Sequence, residues 1–145
     1  MSLASQPLYN ALIRRSIDLQ RLCQQAARQV VEPGLRVVLQ ENAAALELLI
    51  LDLQMQLAAL GGRPATRGRW NAPAPWRSAT WWVRSMTLSD SQWIRLLARR
   101  EAALLAQFEQ VLEAAPTEAA TELGRLAGRM QAVHLDMHSL ATAAR

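Results

Sequence analysis

The strongest constraint on how this chain can fold is that glycine and proline are missing from three long stretches. Neither residue occurs in residues 8–32, 35–60 or 76–115. Both destabilise the interior of a helix, so a stretch without them can form one uninterrupted helix. Alanine, leucine, glutamine and arginine fill these stretches, and all four are good helix formers. The sequence therefore predicts an all-α protein.

Apolar residues recur at alternating spacings of three and four within these stretches, as in helices that bury one face. The clearest case is the set Leu123, Leu126, Met130, Val133, Met137 and Leu140. The sequence predicts helices at about 7–31, 35–60, 89–115 and 117–143, within one domain that spans residues 1–145. Glu32-Pro33-Gly34 indicates a tight break, and Gly61-Gly62 suits a helix end. Ser89 and Gln92 have the spacing of a capping box.

The connections between these helices are short, long and short. Short connections place helices 1 and 2, and helices 3 and 4, side by side and antiparallel. The crossover at residues 61–88 is long enough to run the length of a helix of about 25 residues, which is roughly 38 Å. A short helix is predicted inside it at residues 76–86, because Pro75 suits a first turn. This up-down-crossover four-helix bundle is the ferritin-like arrangement.

The chain resembles the small bacterial ferritin-like four-helix-bundle proteins, a family without an established function. The resemblance covers nearly the whole chain. It is carried by the helix-break-helix opening, the aromatic crossover, and the runs Leu60-Gly61-Gly62-Arg63-Pro64 and Ala132-Val133-His134-Leu135-Asp136. It implies a ferritin-like fold more than it implies a function.

Ferritin-like metalloproteins place a Glu on two helices and a Glu-x-x-His on the other two. This sequence contains no Glu-x-x-His, and the corresponding run is Gln131-Ala132-Val133-His134. Glu101 lies on the third-helix seam, and counting outward from Pro116 places His134 within its reach. The residues at the same level of helices 1 and 2 cannot bind a cation; they are Leu19, Ala45, Leu46 and Leu49. The sequence therefore predicts no metal and no other cofactor.

Two histidines leave a second interpretation of this region open. His134 and His138 are four residues apart on one helical face, a spacing that can hold zinc. They lie on the flank of the heptad, where histidines bonded to water or to Glu101 are the more common case. Glu101 needs a partner if it is buried, and His134, Arg100 or Ser16 could serve. No nucleophile constellation or phosphate-binding loop occurs, so no catalytic residue is assigned and an enzyme is not favoured.

The crossover has the most unusual composition in the chain, because residues 53–89 include no acidic residue. Its candidate partner-binding residues are Arg67, Arg69, Trp70, Trp76, Arg77, Trp81, Trp82 and Arg84. Such a segment suits an anionic membrane surface or a nucleic-acid backbone. Large aromatic side chains also hold a crossover to the side of its bundle, and this packing is the favoured interpretation.

Composition limits the partners and the compartment. The single cysteine, Cys23, excludes an internal disulfide framework, and its apolar neighbours indicate a buried structural thiol. A net charge of +4 is too small to indicate nucleic-acid binding by itself, so a nucleic acid is not the expected partner. Acidic residues interrupt the most apolar stretch, residues 43–60, so no integral membrane segment is predicted. We expect a cytoplasmic protein.

The second helix is apolar almost all round. Its seam leucines leave Leu48, Leu51 and Met55 in a strip on the remaining surface. A helix of this kind must be covered on more than one side, which predicts a homodimer built through this strip. The alternative is that the crossover covers the strip.

Three functional hypotheses follow from these features. The leading one is a metal-free, non-enzymatic bundle that acts through self-association, or through a protein partner bound by the crossover. The second is a metal-binding or redox protein that uses Glu101 and His134. The third is a module that binds nucleic acid or an anionic surface through the arginine and tryptophan residues of the crossover.

Overall fold

The computed structural model describes residues 5–69 and 88–143, which form four α-helices and no strand. These are α1 (Ser5–Gln29), α2 (Pro33–Ala59), α3 (Asp90–Ala114) and α4 (Thr117–Ala143). Helix α1 packs against α2 and α3, and α4 packs against α3 and α2. The all-α, four-helix prediction is confirmed for this part of the chain. The short helix predicted at residues 76–86 lies outside the described residues.

The turn between α1 and α2 has the predicted length of three residues but lies two residues earlier, at residues 30–32 instead of 32–34. Pro33 and Gly34 do not form the break; they open α2, and Pro33 occupies its first turn. Proline suits this place because its fixed φ is helical and its missing N–H has no helical partner there. The side chain of Glu32 caps the helix by accepting hydrogen bonds from the N–H groups of Gly34 and Leu35. The predicted start of α2 at residue 35 was therefore two residues late.

The end of α2 is a Schellman turn, as Gly61-Gly62 predicts. The N–H of Gly62 donates to the carbonyl of Leu57, and the N–H of Gly61 donates to the carbonyl of Ala58, each at 3.0 Å. Gly61 has a φ of 87°, which favours glycine. A Cβ on Gly62 would overlap the side chain of Leu57, so both glycines are required by the geometry.

The start of α3 is fixed by two separate devices. Ser89 and Gln92 form the predicted capping box. The carboxylate of Asp90 reaches back to the α1–α2 turn, where it accepts hydrogen bonds from the N–H groups of Val31 and Glu32, each at 2.9 Å. This Asp90 clamp places the start of α3 beside the end of α1, so the two helices run antiparallel.

The segment that leaves α2 begins at the other end of α1 and follows it. The N–H of Arg63 donates to Gln6, and the N–H of Ala65 donates to Asn10. Further along, the N–H of Arg69 donates to Asp18 at 3.1 Å. Residues 63–69 therefore run beside α1 in the direction of its C-terminus.

The core lies between the four helices and is mainly aliphatic. Its largest fully buried side chains are Trp93, Tyr9, Phe108, Leu12, Ile13, Leu39, Leu46, Leu53, Leu57, Leu97, Leu104 and Leu123. Cys23 is buried and free, as predicted. None of the four helices that the structure describes combines the length and hydropathy of a membrane-spanning segment.

The Asp90 clamp leads to a stability prediction. Asp90→Ala removes two hydrogen bonds to a charged acceptor, and we expect unfolding free energy to fall by about 2 kcal/mol in urea titrations. Glu118→Ala is the control, because Glu118 also lies in the first turn of a helix, α4. It removes the favourable interaction with the helix dipole but no clamp. Equal losses in the two variants would show that the clamp contributes nothing.

Candidate functional site

The most unusual buried group is the carboxyl of Glu101. It lies on the inner face of α3, between Leu97 and Leu104, and is 0% exposed. Among the described residues it is the one acidic side chain in the buried class. An ionised carboxylate in such a place is costly unless it is paired, so its neighbours decide its chemistry.

The neighbour of Glu101 is His134 on α4. The Nδ1 atom of His134 lies 3.3 Å from Oε1 of Glu101. His134 is the partner that counting from Pro116 predicts. The other two candidates, Ser16 and Arg100, have different surroundings. The hydroxyl of Ser16 donates to the carbonyl of Leu12 at 2.8 Å, and Arg100 is exposed on the outer side of α3. His138 follows one turn later, with its ring centroid 5.9 Å from that of His134.

The electrostatics make this pair neutral at neutral pH. Burial, with a smaller contribution from Asp136, raises the pKa of Glu101 to about 8. Burial, with a smaller contribution from His138, lowers the pKa of His134 below its usual value. The proton therefore resides on Glu101, and the 3.3 Å contact joins a neutral carboxyl to a neutral imidazole. The second oxygen, Oε2 of Glu101, is buried without a hydrogen-bond partner in the described residues.

Cys23 on α1 completes the surroundings of Glu101. Burial raises the pKa of the Cys23 thiol, and the carboxyl of Glu101 raises it further. A thiol held in its neutral form is a poor nucleophile and a poor metal ligand. This agrees with a structural role for Cys23.

The geometry offers a metal ion few ligands. Within residues 5–69 and 88–143, no three His, Cys, Asp or Glu side chains converge into a group that could hold a metal. On α1 and α2, the residues that the sequence analysis set opposite Glu101 are buried and aliphatic; they are Leu19, Leu46 and Leu49. His138 is exposed and lies one turn beyond His134. The absence of a bound metal stays a prediction.

Two of the partner-binding residues predicted in the crossover lie within the described residues. Arg67 and Arg69 are exposed in the segment that follows α2. The others lie outside the described residues; they are Trp70, Trp76, Arg77, Trp81, Trp82 and Arg84.

The dimer candidates on α2 point outward. Leu48, Leu51 and Met55 are 57%, 49% and 69% exposed. Val37, which the sequence analysis did not single out, is 50% exposed on the same side of α2. The spacing of Val37 from Leu48 and Met55, three and five helical turns, is the signal that would have included it.

Sequence reasoning also missed an open groove of about 560 Å³ between α1 and α2. Its polar and charged walls are Gln24, Arg28, Arg36, Gln40 and Glu47. Its floor is formed by Ala27, Ala43 and Ala44, whose small side chains leave the space open. The signal was present in the sequence, because these alanines fall on the facing sides of two helices that were predicted to pair.

No protein-family model, curated protein or solved structure matches this chain. Its function is therefore inferred from its own residues.

Glu101 should make stability depend on pH. The pKa of Glu101 is about 8 in the folded protein and near 4.5 when unfolded. As pH rises, the unfolded state therefore loses this proton at a lower pH than the folded state does. Unfolding free energy should then fall as pH rises through this window, by up to about 1.4 kcal/mol per pH unit. Glu101→Gln cannot ionise, and we expect it to flatten the profile and raise stability at pH 8 by about 2–4 kcal/mol.

Urea unfolding between pH 6.5 and 8.5 isolates this effect. The lowered pKa of His134 reduces the unfolding free energy only below this pH range. The raised pKa of the Cys23 thiol affects the unfolding free energy only above it. Glu109→Gln is the control, because Glu109 is exposed on the same helix. An unchanged slope in Glu101→Gln, or the same change in both variants, would contradict the neutral pair.

Proposed function

We propose that this protein is a metal-free, ferritin-like four-helix bundle that acts by associating with a second copy of itself through α2. The observation that carries the proposal is the exposed α2 strip, which consists of Leu48, Leu51 and Met55. The proposal assigns no reaction to the protein.

The ferritin-like part of the proposal is supported by how the helices pair. Helix α1 lies against α2 and α3, and α4 lies against α3 and α2, as in a bundle of two antiparallel hairpins. Residues 63–69 leave α2 at one end of α1, while α3 begins at the other end, beside the Asp90 clamp. A long connection between the two hairpins is what the ferritin-like topology requires.

The self-association is supported by the two apolar sides of α2. One side is in the bundle core, where Leu46, Leu49 and Leu53 are at most 3% exposed. The α2 strip lies on the opposite side, and Val37 extends it towards the start of the helix. Glu41 and Ala44 separate Val37 from the other three residues on this side, so the uninterrupted part of the strip is Leu48, Leu51 and Met55. An exposed apolar strip on a helix is typical of an interaction surface. Two-fold pairing of identical surfaces is the commonest way to cover one.

The runner-up is a metal-binding or redox bundle, and the 3.3 Å contact between Glu101 and His134 favours it. Against it stands the lack of a third converging ligand in the described part of the chain. We expect elemental analysis of protein purified without added metal to find no stoichiometric iron, manganese or zinc. About one metal per chain that is lost in Glu101→Ala would establish the runner-up instead.

The dimer predicts a change in mass on one substitution. In light scattering at micromolar concentration we expect the wild-type protein to be a dimer. Leu51→Arg buries a charge in the proposed interface and should give a monomer or an aggregate. Leu135→Arg is the matched control, since Leu135 on α4 is 53% exposed and lies outside the α2 strip. A wild-type monomer, or equal effects of both substitutions, would refute the dimer.

A further inference from the structure

Arginine is distributed unevenly over the surface. Helix α1 contains four arginines and one acidic residue, and residues 60–69 contain three arginines and no acid. Helix α4 contains two arginines and three acids. The small net charge of the chain therefore conceals a basic side centred on α1.

Three of the α1 arginines form a regular row. Arg14, Arg21 and Arg28 are exposed and seven residues apart. Residues at this spacing lie on one face of a helix, at intervals of about 10 Å along its axis. None of them makes an ion pair among the described residues.

A second set of arginines is held beside this row by the hydrogen bonds to α1. Asn10 binds the backbone of Arg63 and Ala65, and Asp18 binds the N–H of Arg69. The side chains of Arg63, Arg67 and Arg69 are exposed. Gly68 makes this close approach possible, because a Cβ there would overlap the Asp18 carboxyl.

Asp18 is the one acidic residue of α1, and it is surrounded by positive charge. Burial raises the pKa of its carboxyl, and the positive charges of Arg69, Arg21 and Arg100 oppose that shift. These interactions place the two rows of arginines near each other, with Asp18 between them. One oxygen of its carboxyl, Oδ2, accepts a hydrogen bond from the N–H of Arg69, and Asp18 forms no ion pair within the described residues. The guanidinium groups around it are therefore not held in ion pairs with Asp18.

The α1 row ends at the groove between α1 and α2. Arg28 and Arg36 line this groove together with the amide side chains of Gln24 and Gln40 and one acidic side chain, Glu47, so its polar lining has two basic groups against one acidic group. Arg36 donates one hydrogen bond to the carbonyl of Val30 at 2.9 Å, which fixes its position at the end of the row. A groove of about 560 Å³ has room for a planar group the size of a base.

We propose that this surface, the arginine band, binds the phosphate backbone of a nucleic acid. The band consists of Arg14, Arg21, Arg28, Arg36, Arg63, Arg67 and Arg69. Guanidinium groups bind phosphate through two parallel hydrogen bonds, and a row of them matches a polymer with regularly spaced phosphates. The groove supplies amide groups beside the end of the row, where a base could lie.

The described surface favours a nucleic acid over a membrane. A helix that binds at a membrane interface needs an apolar face beside its basic one. The exposed positions of the α1 row are polar. Among the large exposed apolar side chains of the described residues, Val31 and Val37 lie near the Arg36 end of the band, and the others lie away from it; they are Leu48, Leu51, Met55 and Leu135. The α1 row therefore offers charge and hydrogen bonds without an apolar face beside it. It shares no residue with the α2 strip, so it does not depend on the proposed dimer.

The test is binding of a fluorescent oligonucleotide of about 20 nucleotides, measured by anisotropy over a series of salt concentrations. The variant replaces Arg14, Arg21 and Arg28 by Gln. The control introduces Glu at the exposed α4 positions Thr121, Gln131 and Ser139, which changes the net charge by the same amount. Because all six positions are exposed, thermal melting should confirm that both proteins are folded.

We expect the wild-type protein to bind, with affinity that falls steeply as salt rises. The triple Arg→Gln variant should lose at least about tenfold in affinity at low salt, and the magnitude of its log-log salt slope should fall by about 2. The α4 control should bind within about twofold of wild type, because it leaves every phosphate contact in place. This pattern would support the arginine band.

Three results would overturn the proposal. One is wild-type protein that binds no single-stranded or duplex oligonucleotide at low salt. Another is an equal loss in the variant and the control, since net charge alone would then explain binding. The last is arginine-dependent binding to phosphatidylserine vesicles without binding to oligonucleotides, which would assign the surface to a membrane.

Discussion

The Asp90 carboxylate joins two hairpins that otherwise share no short connection. It accepts two backbone hydrogen bonds from the α1–α2 turn while it begins α3, so it fixes where the second hairpin starts against the first. The contact agrees with the register in which the four helices bury their core. About three helical turns further along α3, Glu101 reaches the level of Cys23 on α1 and meets His134 on α4. A shift of one residue would rotate Glu101 by about 100° around its helix and away from both neighbours.

The buried carboxyl shows how a polar group can remain in an aliphatic core. A carboxylate would carry an uncompensated charge there, and the proton removes that charge at the cost of a raised pKa. The neutral acid then shares a hydrogen bond with His134, whose own charge is disfavoured by burial. The second carboxyl oxygen, Oε2, has no hydrogen-bond partner in the described residues. The pair therefore links α3 to α4 through a single contact inside the core.

The sequence predicted the helices well because their limits depend on local chemistry. The Schellman turn at Gly61 and the capping box at Ser89 are local motifs, and both were found where the sequence places them. Pro33 was misjudged because proline both ends and begins helices, and only the capping side chain of Glu32 distinguishes the two cases. The contact between Glu101 and His134 was predictable because both residues lie at known distances from one short turn.

Contacts between segments that are distant in the sequence could not be predicted by counting residues from a short turn. The bonds from Asp90 to the α1–α2 turn, and from Asp18 to Arg69, join residues more than 50 positions apart. Their side chains have ordinary local roles as well, since an aspartate in the first turn of a helix is favourable without any further partner. The groove between α1 and α2 depends on the distance between two helices, which small alanines permit but do not determine. The sequence fixes which side chains are available for these contacts, and the packing decides which of them meet.

The α2 strip and the arginine band lie on neighbouring helices but have opposite chemistry. Burying the strip removes apolar surface from water, a driving force that high salt does not weaken. Binding a nucleic acid through the band depends on charge and weakens as salt rises. A dimer formed through α2 would carry two bands, one on each α1, and a strand long enough to contact both would bind more tightly than a short one. The two surfaces would then act together, because association through α2 sets the spacing between the bands.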